Sequence, residues 1–324
     1  MACTFAVVAR RDLLRSMARD ALTRVVARAA SAVDAERHSR RNVDAIVAAC
    51  LSANDSVMRL GDAGRTVAFL RECLEPTTFD CQWLRRDRAT GDQAVTRFEM
   101  LVANWLSGVA PIPVAEAWQL ALEADAAASR RDPYEEGRWT GDVGLHFLAS
   151  STTGRKGRLL ASAVRFMGAR CCVEIGTAYG MSALFILSAL AADSEGGALH
   201  TIECLEPQHS LAAATLKRLH PERATCHFGK SGDVLPALLA GIGDVDLVFH
   251  DGEHSEAAYV SDFEALEPAL ASGAVVVYDD LHWDDRAFTD VPPRTYEGWQ
   301  SLVGHRRVRS AVEVDGATGV LLLT

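Results

Sequence analysis

The chain has 324 residues, 33 basic against 43 acidic side chains and a formal net charge of −10. Nearly half of the residues are apolar, enough for a sizeable core, and the length suits about two domains of 100–200 residues each. Residues 151–324 hold 14 Lys+Arg against 23 Asp+Glu, a net of −9, which argues against a nucleic-acid substrate because phosphate neutralisation needs a basic surface.

Other segments narrow the class further. No run of 18 or more apolar residues occurs, so no spanning helix and no membrane partner is expected. The start, Met-Ala-Cys-Thr-Phe-Ala-Val-Val-Ala-Arg-Arg, lacks a basic stretch before its apolar residues and is a poor signal peptide. Eight cysteines without a Cys-x-x-Cys pair read as reduced thiols of a cytoplasmic protein.

Residues 1–150 read as helical. Apolar residues recur at helical spacing over Leu13–Ala32, Val43–Leu51, Thr66–Leu74, Ala94–Leu106 and Val114–Ala127. Breaks fall at Asn54-Asp55, Gly61-Asp62, Pro76 and Pro111-Ile-Pro113. Nothing in this half carries chemistry, so an all-α accessory module is expected, serving dimerisation or as a lid. The polar stretch Arg130–Asp142, with Gly, Pro and two aromatics, reads as the linker to residues 151–324.

The second half alternates. A helix over Gly157–Met167 precedes the strand Cys171–Ile175, which turns through Gly176 and Gly180 into a helix over Ser182–Ala192. Strand, glycine-bearing turn and helix hold nucleotide-like ligands over the carboxyl edge of a sheet. The dinucleotide fingerprint would want glycine where Ala178 stands and would not want Glu174 near a pyrophosphate. S-adenosylmethionine (SAM) has no phosphate and carries a cationic amino group and a sulfonium, so the loop favours SAM over NAD. Glu203 ends the next strand, Ala198–Glu203, about twenty residues further on, where a carboxylate can accept both ribose hydroxyls.

The pattern continues with a helix over Ser210–Leu219, strand Ala224–Phe228, helix Val234–Leu239, strand Asp246–His250, helix Glu256–Leu270 and strand Ala274–Asp279. Such alternation specifies a doubly wound, mostly parallel sheet. The tail differs: after a helix over Tyr296–Val303, the segments Arg307–Val314 and Val320–Thr324 flank a glycine-containing turn and read as an antiparallel hairpin. The expected fold is therefore α/β, with a seven-stranded Rossmann-like sheet.

Residues 155–324 resemble class I SAM-dependent methyltransferases, most of all the metal-dependent O-methyltransferases of the catechol and caffeoyl-CoA type and those acting on macrolide sugars. The matching stretches are residues 173–182, Thr-Ile-Glu at 201–203, Gly-Lys-Ser-Gly-Asp at 229–233, Phe-His-Asp-Gly-Glu-His at 249–254 and Val-Tyr-Asp-Asp-Leu-His-Trp at 277–283. The resemblance implies a SAM pocket lined by Glu174, Gly176, Thr177, Tyr179, Ser182, Glu203, Ser231 and Asp251. It also implies a Mg²⁺ site on Asp251, Asp279 and Asp280, and chemistry agrees, since converging carboxylates repel without a cation and hard oxygen donors suit Mg²⁺. Asp280 departs from the asparagine usual in catechol-type enzymes.

His254 stands three residues after Asp251, where those enzymes place a lysine base. An imidazole with an ordinary pKa of about 6.5 can accept a proton near neutral pH. With Asp251 it forms the expected catalytic pair. The loop Leu281–Arg294, with Trp283, Phe288, Pro292 and Pro293, is expected to wall a pocket for a phenol or sugar hydroxyl of a secondary metabolite. Two further readings stay open: a metal-free carboxyl- or N-methyltransferase, with a peptide or small-molecule acceptor, and a non-catalytic SAM-binding scaffold. A homodimer is expected.

Overall fold

The computed structural model describes residues 63–128, 152–192, 196–282 and 294–324. The helices expected over Leu13–Ala32 and Val43–Leu51, the stretch Arg130–Asp142 and residues 283–293 of the expected pocket wall lie outside the described residues. Among those described, one compact unit takes 63–76, 110–126 and 153–155, and a larger unit takes the rest.

The first elements are α1 (Ala63–Leu74), β1 (Cys81–Arg85), α2 (Gln93–Ser107), α3 (Val114–Ala128) and α4 (Gly154–Met167). Then follow β2 (Cys171–Ile175), α5 (Met181–Ala191), β3 (Ala198–Glu203), α6 (Glu206–Leu219), β4 (Ala224–Phe228), α7 (Ser231–Gly241), β5 (Val245–His250), α8 (Glu256–Leu266) and β6 (Leu270–Tyr278). Helix α9 (Thr295–Val303) leads into the hairpin β7 (Val308–Val314) and β8 (Thr318–Leu323). The alternation read from the sequence is present throughout.

The sheet has eight strands in the order β1-β7-β8-β6-β5-β2-β3-β4. Strands β2 to β6 pair in parallel, and β8, β7 and β1 add antiparallel to β6 in turn. The eighth strand corrects the expectation of an all-α region before residue 151. Strand β1 pairs Cys81 with Val314 and Trp83 with Val312, and Asp80 and Asp315 exchange hydrogen bonds at its start (2.9 and 2.8 Å). Helix α2 backs this edge. Its N-cap Asp92 accepts from the Ala94 and Val95 amides, and Arg309 of β7 binds both Asp92 and Asp87 at 2.7 Å.

Strand β6 also starts earlier than expected. Pro268 supplies no amide hydrogen, so α8 stops at Leu266 and a 3₁₀ turn over Glu267–Ala269 redirects the chain into a nine-residue strand. One face of the sheet buries Val173, Val248, Val276, Tyr278 and Leu321 against Tyr259, Phe263 and Trp299 of α8 and α9. Helix α5 is apolar nearly all round and correspondingly buried. Among the described residues no helix is long and apolar enough to cross a membrane.

Candidate active site

Strand β2 lies between β5 and β3, and the chain winds outward from it in both directions. The crevice beyond the carboxyl ends of β2 and β5 is therefore the switch point at which open α/β sheets bind ligands. A cavity of about 600 Å³ occupies it, and Gly176, Glu203, Ser231, Asp251 and Gly252 are among its lining residues.

Gly176 has φ 93°, and a Cβ there would lie 2.0 Å from the Asp251 carbonyl oxygen. Glycine is thus required by the close passage of β5's exit past β2, as well as by the turn. Ala178 also has a positive φ, 44°, which offers its amide to Glu203 Oε2 at 2.8 Å. The other carboxylate oxygen of Glu203 accepts from the Leu205 amide, also at 2.8 Å. Two backbone donors hold this carboxylate at the cavity edge, oriented for hydroxyls of a ligand.

Glu174 lies beneath the cavity rather than on its wall. It is fully buried and accepts from the Thr201 hydroxyl at 2.5 Å, and Thr201 also contacts the Thr177 hydroxyl. Burial raises the Glu174 pKa to about 7, against hydrogen bonds from Ser182 and Thr201 that favour its charged form. Its Oε1 has no hydrogen-bond partner among the described residues. Thr177, Tyr179 and Ser182 are buried and are not among the residues lining the cavity either.

At the neighbouring strand ends, hydrogen bonding continues past the strands. The Asp251 amide donates to Ile175 O (2.8 Å) and the Asp279 amide to His250 O (3.0 Å), which brings the two acids level. Asp280, at φ 51°, turns the chain and donates its amide to Asp279 Oδ1 at 2.9 Å. His254 Nε2 lies 3.7 Å from Asp251 Oδ1 and 3.8 Å from Asp280 Oδ2. The structure thus brings Asp251, Asp279, Asp280 and His254 together at one sheet edge.

Sequence reading missed Lys156. Its Nζ, from the first turns of α4, lies 2.5 Å from Asp279 Oδ2 and 3.8 Å from Asp280 Oδ1. Burial opposes its charge, but Asp279, Asp251 and Asp280 outweigh it and hold the pKa above the ordinary lysine value. Burial pushes the Asp251 carboxyl well upward, with Asp279 adding to the effect and Lys156 opposing it. Asp280 moves the same way for the same reasons. Burial lowers the His254 pKa to about 4, against the pull of Asp279.

Behind these groups stands a fully packed support. The Tyr259 hydroxyl donates to the Asp279 carbonyl, and buried His250 meets Asp262 at 2.9 Å while stacking on Tyr278.

The donor set can be tested against the expected Mg²⁺. Asp279 is 2% exposed, its Oδ2 takes the ammonium, and its Oδ1 takes the Asp280 amide and the Thr318 hydroxyl. Oδ1 of Asp279 is filled by two donors and Oδ2 is paired with the ammonium, so an ion would have to compete with Lys156 and the three-aspartate site fits Mg²⁺ poorly while Lys156 stands there. Asp251, His254 and Asp280 have ligand atoms within 4.8 Å of one another. That trio includes an imidazole, which suits softer ions better than Mg²⁺.

Residues 173–281 match the family model described as a methyltransferase domain. A Mycobacterium ulcerans protein named "Putative O-methyltransferase" is 31% identical over 150 residues, 45% of this chain and 61% of that protein. A protein of the same name from Mycobacterium sp. (strain JLS) is 33% identical over 135 residues, 40% of this chain and 57% of its own length. The chain thus spans about three fifths of the length of these curated relatives. Among solved structures, a Streptomyces achromogenes O-methyltransferase involved in tomaymycin synthesis, in complex with SAM, is 26% identical. It covers 54% of this chain and 82% of that one, with a TM-score of 0.46. A Bacillus cereus O-methyltransferase in complex with SAH is 20% identical over 54% and 84% of the two chains, with a TM-score of 0.47.

Proposed function

We propose that this chain is a SAM-dependent O-methyltransferase acting on a hydroxyl of a small molecule, a phenol or the sugar of a secondary metabolite. One observation carries the reading: Glu203 and Asp251 line one cavity at the switch point of a methyltransferase-type sheet, with His254 beside Asp251. The names of the curated relatives support an oxygen acceptor.

SAM, when bound, supplies an electrophilic methyl group on a sulfonium. Glu203 would hold the ribose hydroxyls, and Asp251 would face the cationic end of the cofactor, whose charge favours ionised Asp251. His254 is neutral at pH 7 because burial lowers its pKa. It would accept the acceptor's proton, and the carboxylates of Asp251 and Asp280 flanking it would stabilise the resulting imidazolium. A carbon–oxygen bond forms as the carbon–sulfur bond breaks, and the electron pair stays on sulfur.

The expected Mg²⁺ assistance loses support from the Asp279–Lys156 pairing, which favours transfer without a metal. In this reading residues 1–150 serve as a dimerisation or lid module. Incubation with methyl-labelled SAM and a panel of phenols and glycosides tests the assignment. Label should move to an oxygen of at least one compound class; label appearing only on nitrogen or carboxylate acceptors would overturn it.

A further inference from the structure

Lys156 is one of three lysines in a chain with thirty arginines. A planar, forked guanidinium would be a poor occupant of its position, whereas an ammonium is a compact point charge that can sit against one carboxylate oxygen. The helix that carries it is held on both sides. A Cβ at Gly157 would fall 2.1 Å from the Phe185 ring, so glycine lets α4 and α5 close together. The next residue, Arg158, is buried and donates to the Thr77 hydroxyl (2.9 Å) and to the Val109 carbonyl. Lys156 is thereby delivered to the sheet edge by a fixed helix.

We propose that Lys156 is the built-in cation of the catalytic acid cluster, occupying at Asp279 the place a divalent ion would take, so that methyl transfer by this chain proceeds without a metal. The inference rests on the methyl-transfer reading and specifies its chemistry. The ammonium neutralises one carboxylate of the Asp251, Asp279 and Asp280 group and repels a second cation from it. Its positive field also favours the oxyanion that develops on the acceptor as the proton passes to His254, part of what a Lewis acid would otherwise supply.

Titration with Mn²⁺, followed by its electron paramagnetic resonance signal, tests this on the full chain, alongside calorimetry with SAM. The parent should bind SAM, hold no Mn²⁺ at micromolar concentration, and transfer methyl groups equally well with and without EDTA. Lys156→Met should keep SAM affinity, bind Mn²⁺ at least about tenfold more tightly than the parent, and lose about 10²-fold in rate. A parent that binds one Mn²⁺ tightly and loses activity on EDTA treatment overturns the proposal, and that measurement does not depend on any variant folding. So does a Lys156→Met protein that binds SAM but shows the parent's Mn²⁺ affinity and rate. Absence of SAM binding by the parent would instead remove the methyl-transfer reading itself.

Discussion

His254 and Glu174 are shifted by the same cause, burial, and in opposite senses of charge. His254 sits 16% exposed with its pKa lowered to about 4, so its neutral form is complete at pH 7. The ordinary imidazole value would place a rate rise near neutrality; the buried value moves it to the acid side, near pH 4. His254→Ala should cost about 10²–10⁴-fold in turnover with SAM binding retained. Stopped assays from pH 4 to 8 should show a plateau above about pH 6 in the parent. A rate within a few-fold of the parent would return His254 to a structural role at the start of α8.

Glu174 is a stability matter. Its folded pKa of about 7 lies above its ordinary 4.5, so the folded state binds the extra proton between these values. Its contribution is fully present below about pH 4.5 and is lost as pH rises through 7, a difference of about 3 kcal/mol. Glu174→Gln should therefore resist urea better than the parent at pH 8 and show little advantage at pH 4.5. His254 acts the other way, losing stability as pH falls from about 6.5 towards 4, and the substitution leaves that trend in place. Equal urea midpoints for parent and variant at pH 8 would contradict the buried, uncharged assignment.

Among the elements, β1 and α2 change how the chain can be divided. Trp105 of α2 is fully buried and its indole donates to the Ser162 hydroxyl of α4 at 2.8 Å, while Arg158 of α4 takes partners at Thr77 and Val109. Trp105→Ala should cost about 3–5 kcal/mol, read as a drop in the urea midpoint. Residues 155–324 expressed alone would lack β1, α2 and these partners, so that fragment should aggregate or unfold; a soluble fragment with the parent's SAM affinity would show that the eighth strand is dispensable.

The parallel strands were legible because each is a short apolar run bounded by turn residues and followed by a helix-period stretch. Cys81-Gln-Trp-Leu-Arg85 is short, partly exposed and stabilised by a partner over two hundred residues away, so no local pattern announces it. Asp251, His254 and Asp280 were legible from strand ends and spacing. Lys156 was not, because its meeting with Asp279 depends on how closely α4 approaches the sheet, which Gly157 and Phe185 decide in three dimensions.

Taken as a whole, the molecule concentrates its acidity in the half that holds the cavity, which suits a cofactor with a cationic sulfonium and ammonium and disfavours a pyrophosphate. Calorimetric titration of SAM and of NAD into the parent and into Glu203→Ala tests this most directly. One SAM should bind the parent, NAD should not compete, and Glu203→Ala should weaken SAM by about 1.5–3 kcal/mol through lost hydrogen bonds to a charged group. A parent that ignores SAM, prefers NAD, or binds SAM unchanged after loss of the Glu203 carboxylate would contradict the account.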